Sequence, residues 1–123
     1  MSEAVLELDA VVVRYGRLAA VDGVTLAVAA GETIGLVGES GCGKTSLAKA
    51  LVGLLPLAAG AIRIEGTEIG RRGGARRNWL PARIQLLFQD PIASLSPRLT
   101  VRRLLAGPLR RRGALDGAGW REV

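Results

Sequence analysis

Nine consecutive residues carry the most specific chemistry in the chain: Gly38-Glu39-Ser40-Gly41-Cys42-Gly43-Lys44-Thr45-Ser46. They fit G-x-x-x-x-G-K-[ST], a loop that cradles phosphates between a strand and a helix. A triphosphate presents several anionic oxygens, and such a loop meets them with consecutive backbone N–H groups at the positive end of a helix. Glycines at 38, 41 and 43 let the backbone come close to the phosphates. Lys44 adds a compact ammonium on a flexible stem. The chain contains fifteen Arg and two Lys, yet Lys holds this position. A planar guanidinium would not substitute conservatively beside β- and γ-phosphates. The Thr45 hydroxyl is a candidate ligand for Mg²⁺, whose other positions phosphates and water would fill. Cys42 contributes mainly backbone, although a thiolate is favoured near a helix N-terminus. Its alkylation is expected to block nucleotide by bulk alone.

Composition makes an accidental match improbable, on the order of 0.003 over the whole chain. The plain alternative is a Gly-rich turn without a ligand, and the flanking sequence argues against it. Before the loop, Thr33-Ile34-Gly35-Leu36-Val37 is a short apolar run, as expected of a buried strand. After it, Leu47, Ala48, Leu51, Leu54 and Leu55 recur at helical spacing until Pro56. A dinucleotide fold would want G-x-G-x-x-G, whereas the glycines here are spaced G-x-x-G-x-G-K, so that fold is set aside.

The remaining elements are placed around this centre. Val5 to Tyr15 reads as a long strand with one exposed face, turned by Gly16-Arg17. Val24, Leu26 and Val28 alternate with Thr25 and Ala27 in a second strand. Two strands therefore precede the loop. Ala61 to Gly66 alternates strictly and is expected to join an antiparallel sheet. Gly70 to Pro81 has no sustained period and reads as loop. Ile84 to Phe88 reads as a strand ended by Gln89-Asp90-Pro91. Thr100 is placed to cap a helix with Val101, Leu104, Leu105 and Leu109 on one face, which Gly107-Pro108 is expected to bend or end.

With 123 residues and 49% hydrophobic content, the chain is sized for one globular domain with a core. It has no run of about 20 uncharged apolar residues and no signal-peptide pattern, so a cytoplasmic location is expected. Having one Cys and no His, it can form neither an internal disulfide nor a His site. Charge is strongly divided. Residues 1–70 carry five Lys/Arg against eight Asp/Glu, whereas residues 71–112 carry eleven Arg against Asp90 alone. A cationic face of this kind suits nucleic acid, anionic lipid or a protein partner, or is simply solvated.

Three stretches together resemble the ATP-binding subunit of ABC transporters, in particular the oligopeptide, dipeptide and nickel importer group. They are Ala20-Val21-Asp22-Gly23-Val24, Gly31 through Lys44, and Leu86-Leu87-Phe88-Gln89-Asp90-Pro91-Ile92-Ala93-Ser94-Leu95-Ser96-Pro97-Arg98-Leu99-Thr100-Val101. The resemblance covers residues 5 to 112, and its last stretch is the most specific. It implies an α/β P-loop NTPase fold, with a partial RecA-like core and an antiparallel β subdomain.

Roles follow for single positions. Tyr15 matches the aromatic residue that stacks on adenine, although a Tyr beside Gly is also an ordinary strand-end aromatic. Gln89, in a glutamine loop spanning 88–101, matches the residue that contacts Mg²⁺ and the attacking water and signals to the membrane subunits. Without the family, Ile84 to Asp90 could instead be a Walker B strand with Asp90 near the metal. The implied cofactors are ATP and Mg²⁺, bound by Gly38 to Ser46, with Lys44 and Gln89 catalytic and Thr45 and Gln89 on the metal. The implied partners are transmembrane permease subunits and a second ATP-binding subunit, at the inner face of the membrane. Thr45-Ser46 reverses the commoner Ser-Thr order, and Ser96 stands where the group usually has Asn. The sequence has no L-S-G-G-Q-type signature, no apolar strand ending in Asp-Glu and no switch histidine. The chain, residues 1–123, thus looks like the N-terminal part of one ATP-binding domain, expected to hold ATP and to hydrolyse almost none alone. Other readings are a nonenzymatic nucleotide-binding module and a nucleic-acid-associated cassette ATPase using the Arg-rich half.

Overall fold

The computed structural model describes residues 4–69, 83–90 and 92–111. The chain divides into two compact units, Met1–Arg76 and Arg77–Val123. In the first, β1 (Ala4–Tyr15), β2 (Leu18–Ala29), β3 (Ala59–Ile64) and β4 (Thr67–Ile69) form one sheet in the order β2-β1-β3-β4. Every pairing is antiparallel. Local turn chemistry explains two of the three pairings, β1 with β2 and β3 with β4. Gly16-Arg17 reverses the chain at once, so Tyr15 pairs with Leu18 and β2 starts earlier than its alternating core suggested. Glu65-Gly66, both at positive φ, form the second tight turn, the geometry that matches strand twist in a two-residue hairpin. That turn returns the chain as β4, a strand the sequence reading missed.

The long first strand contains a bulge. Its pairings step from Leu8 to Val11 while β2 steps only from Leu26 to Val24, so β1 carries one extra residue, with Ala10 at φ 45. The extra residue shifts the side-chain phase. Leu8 is buried before it, and Val11 and Val13 are buried after it. Ile62, Ile64 and Ile69 complete the inner face of the sheet, and Leu47 and Ala50 of the helix are buried with them. The core of this unit thus lies between one face of the sheet and the short helix.

That helix, α1 (Lys44–Leu51), is shorter than the apolar spacing to Leu55 predicted. Gly53 ends it. At φ 73 it takes the left-handed position after the cap, donating its N–H to the Ala50 carbonyl at 3.0 Å, while Leu54 N–H reaches the Lys49 carbonyl at 2.8 Å. These two bonds are a Schellman stop, which satisfies carbonyls the helix would otherwise leave open.

Two predicted strands do not form. Residues 32–39 carry no strand assignment, and Val37 is 96% exposed. In the second unit, residues 84–88 likewise form no strand, and Leu87 is 88% exposed. The cause is common to both. A parallel-type strand is held by neighbours on each side and by helices over both faces, and no described residues pair with either run. The second unit also contains α2 (Val101–Arg111), whose start is capped by Thr100, with Arg103 N–H donating to Oγ1 at 3.4 Å. Pro108 lies inside α2 and does not end it. It sits close enough to the C-terminal end that one missing N–H leaves the preceding turns intact. The predicted loop 70–81 lies outside the described residues.

Candidate functional site

The loop is assembled even though the strand before it is unpaired. Gly43, at φ 94, precedes α1 and supplies the carbonyl that accepts Leu47 N–H at 2.9 Å. A Cβ at Gly43 would overlap the carbonyl oxygen of Ala20 in β2. Only glycine therefore lets the loop rest against the sheet. Helix geometry leaves the first amides of α1, those of Lys44, Thr45 and Ser46, without an acceptor one turn back. No side chain caps them. They are donors available to an anion, and the axial alignment of peptide dipoles reinforces that preference.

Lys44 folds back over this cradle. Its Nζ donates to the carbonyl of Gly38 at 2.6 Å, to that of Glu39 at 2.8 Å and to the Cys42 sulfur at 3.2 Å. Cys42 N–H donates to the Glu39 carbonyl at 3.3 Å, which tightens the turn. The ammonium thus lies within the loop whose amides face outward from α1. Its hydrogen bond to sulfur is also the main reason that the exposed Cys42 thiol is held below its ordinary pKa.

Tyr15 reaches the same place from the sheet. Its hydroxyl and that of Ser46 share a hydrogen bond of 3.3 Å. A hollow of about 340 Å³ lies between the β1–β2 turn and the loop, lined by Tyr15, Leu18, Ser40, Lys44, Thr45 and Ser46 among others. The structure therefore gathers Tyr15 with Ser40, Gly41, Gly43, Lys44, Thr45 and Ser46 around one hollow. Gly38 and Glu39 complete the loop through the carbonyls that hold Lys44. Leu18 and Ala20 were missed as lining residues. The signal for Leu18 was the two-residue turn, which makes it the cross-strand neighbour of Tyr15.

Gln89 is exposed and belongs to the second unit. Beside it, the Asp90 carboxylate accepts the N–H groups of Ile92 at 3.1 Å and Ala93 at 3.2 Å. That is an Asx-type turn, the local use of Asp expected at a strand-less loop start. It gives one Asp90 oxygen, Oδ1, a backbone role. Among the described residues, no three His, Cys, Asp or Glu side chains gather to hold a metal by themselves. A Mg²⁺ ion would need phosphate oxygens as well, and the Thr45 hydroxyl, exposed at the second residue of α1, is a hard oxygen that could join them. No helix among the described residues is long and apolar enough to cross a membrane.

The family described as ABC transporter matches residues 21–120. The oligopeptide transport ATP-binding protein OppF of Escherichia coli is 48% identical over 95 residues, which are 76% of this chain and 28% of that protein. OppD of Mycobacterium tuberculosis, of the same description, is 44% identical over 98 residues, covering 80% of this chain and 16% of its own length. The chain thus spans less than a third of these curated relatives. Among solved structures, a nucleotide-free ATP-binding cassette from an ABC transporter superposes with a TM-score of 0.54 at 27% identity, over 57% of this chain and 28% of that one. An ATP-binding cassette in its ADP conformation gives 0.55 at the same identity, over 58% and 28%.

Proposed function

Because the chain belongs to the ABC transporter family, which matches residues 21–120, we propose that it binds Mg²⁺-ATP through Gly38 to Ser46 as the N-terminal part of a peptide importer's ATP-binding subunit. The observation that carries this reading is the Lys44 ammonium seated over the glycine loop at the uncapped start of α1. On binding, the phosphates would take the outward amides of Lys44, Thr45 and Ser46 and draw the ammonium from its own carbonyls. Hydrogen bonds to charged groups contribute about 1.5–3 kcal/mol each, enough for about micromolar affinity after ordering costs. Tyr15 and Leu18 would take the base. Thr45 would hold Mg²⁺, which neutralises charge on the β- and γ-phosphates when bound.

Gln89 and the glutamine loop 88–101 would contribute in the whole subunit, as contacts to the metal, the attacking water and the permease. Names of relatives such as the oligopeptide transport ATP-binding proteins support peptides as the imported class. The whole subunit would act at the inner face of the membrane, bound to permease subunits and to a second ATP-binding subunit. This chain alone would hold nucleotide and turn over almost none. Titration with a fluorescent ATP analogue and Mg²⁺ tests the reading. The wild-type chain binds in about the micromolar range, and Lys44→Ala weakens binding about ten- to a hundredfold. Binding indifferent to Lys44 would sink the assignment. Steady turnover matching an intact cassette and lost in Lys44→Ala would show that the chain needs no further segment.

A further inference from the structure

Given the nucleotide reading on which this rests, we propose that Ser46 is a positioning residue for the base: its hydroxyl fixes the Tyr15 ring at the edge of the hollow above the phosphate loop. Tyr15 is the last residue of β1, beside a two-residue turn, and is about half exposed. A side chain at a hairpin tip has few packing neighbours to choose its rotamer, and hairpin tips open more readily than the sheet behind them. One contact in the described structure constrains the ring's polar end, the 3.3 Å hydrogen bond between the two hydroxyls.

Ser46 is well placed to provide it. It is the third residue of α1, in the same turn as the amides that face an anion. A helical Ser can point its hydroxyl to solvent or turn it back to a carbonyl one turn earlier. Here it reaches across to the sheet instead. The bond therefore ties the aromatic platform to the very turn that would hold the phosphates, setting the spacing between base and phosphate before any nucleotide arrives. Ordering paid in advance is returned as affinity. The effect should appear only for ligands that carry a base, since a bare phosphate chain does not use the ring.

A double-mutant cycle on the full chain tests this, with Tyr15→Phe, Ser46→Ala and the pair titrated against ATP and against tripolyphosphate. The ratio of the two affinities reads out the base. Each single variant should lower that ratio about two- to tenfold, the pair should lower it no further, and Ser46→Thr, which keeps the hydroxyl, should restore it. Tyr15→Phe should leave tripolyphosphate affinity unchanged and preserve the circular dichroism spectrum. Additive losses, or an unchanged or raised ratio in Tyr15→Phe, would overturn the role of the hydroxyl pair while leaving the nucleotide site standing. If the wild-type chain binds neither ligand, the nucleotide reading falls and the positioning role falls with it.

Discussion

The antiparallel sheet and the run Thr33–Val37 draw on the same kind of residue, yet one is paired and the other is not. Leu8, Val11, Val13 and Ile62 in the sheet are buried, whereas Ile34, Leu36 and Val37 are exposed. What separates them is the source of their neighbours. Two of the three pairings, β1 with β2 and β3 with β4, are closed by two-residue turns, while β1 also pairs with β3 across the intervening loop and α1. A strand that feeds a phosphate loop pairs with strands reached through helical crossovers, each a dozen or more residues long. Hairpins can therefore form between neighbouring residues and carry a third pairing with them, whereas a strand of the second kind waits on strands supplied from further along the chain. The phosphate loop stands at the junction of these two cases. It is held from the sheet side, through Gly43 against Ala20 and Tyr15 against Ser46, and from α1.

The largest expected effect follows from burial. Ile62→Ala removes a side chain with no exposed surface from the centre of the sheet and should cost about 2–5 kcal/mol, read as a fall in the urea midpoint. Val37→Ala, at a position 96% exposed, should stay within about 0.5 kcal/mol. Equal losses would mean that the loop's strand is as well packed as the sheet, and the contrast would fail.

A second pair probes the junction. At Gly43 an added Cβ meets the backbone of Ala20, while at Gly16, also at positive φ, it meets open space. Gly16→Ala should cost only its backbone strain, about 1 kcal/mol. Gly43→Ala should cost more than that and abolish nucleotide binding, since backbone cannot yield as a flexible side chain can. Retained ATP affinity in Gly43→Ala would show that contact with the sheet does not shape the loop.

The smallest effect concerns Cys42. The Lys44 ammonium favours its thiolate, so the deprotonated, reactive form persists to lower pH than in an ordinary thiol. The pH profile of alkylation by iodoacetamide should have its midpoint below that of free cysteine, and Lys44→Ala should move it up. ATP should slow the reaction, and the alkylated chain should no longer bind ATP. Unchanged ATP binding after complete alkylation would place the sulfur outside the space the nucleotide fills.

These contrasts also mark what the sequence could reveal. The phosphate loop, the strands around Val11, Leu26 and Ile62 and the cap at Thr100 were legible because each depends on nearby residues: turn chemistry, alternation, capping. The helix end was legible in principle, since Gly53 carries the stop, but the apolar period running on to Leu55 hid it. The bulge at Ala10 and the strand Thr67–Ile69 depend on pairing partners, which periodicity does not name. At Thr33–Val37 and Ile84–Phe88 the pattern states a preference for strand, and the preference is expressed only when neighbouring strands are present. Tyr15 was assigned through family likeness. Its bond to Ser46 had no local signal, because a contact between residues 31 positions apart is set by the hairpin's length and the helix's start.

The most direct measurement is the change in backbone amide chemical shifts when Mg²⁺-ATP is added to the isotope-labelled chain. Large shifts are expected at Gly41, Gly43, Lys44, Thr45 and Ser46, a smaller one at Tyr15, and little change along the arginine-rich helix Val101–Arg111. Shifts confined to that helix, with the loop silent, would mean that ATP is held by diffuse positive charge and that the loop is a turn without a ligand.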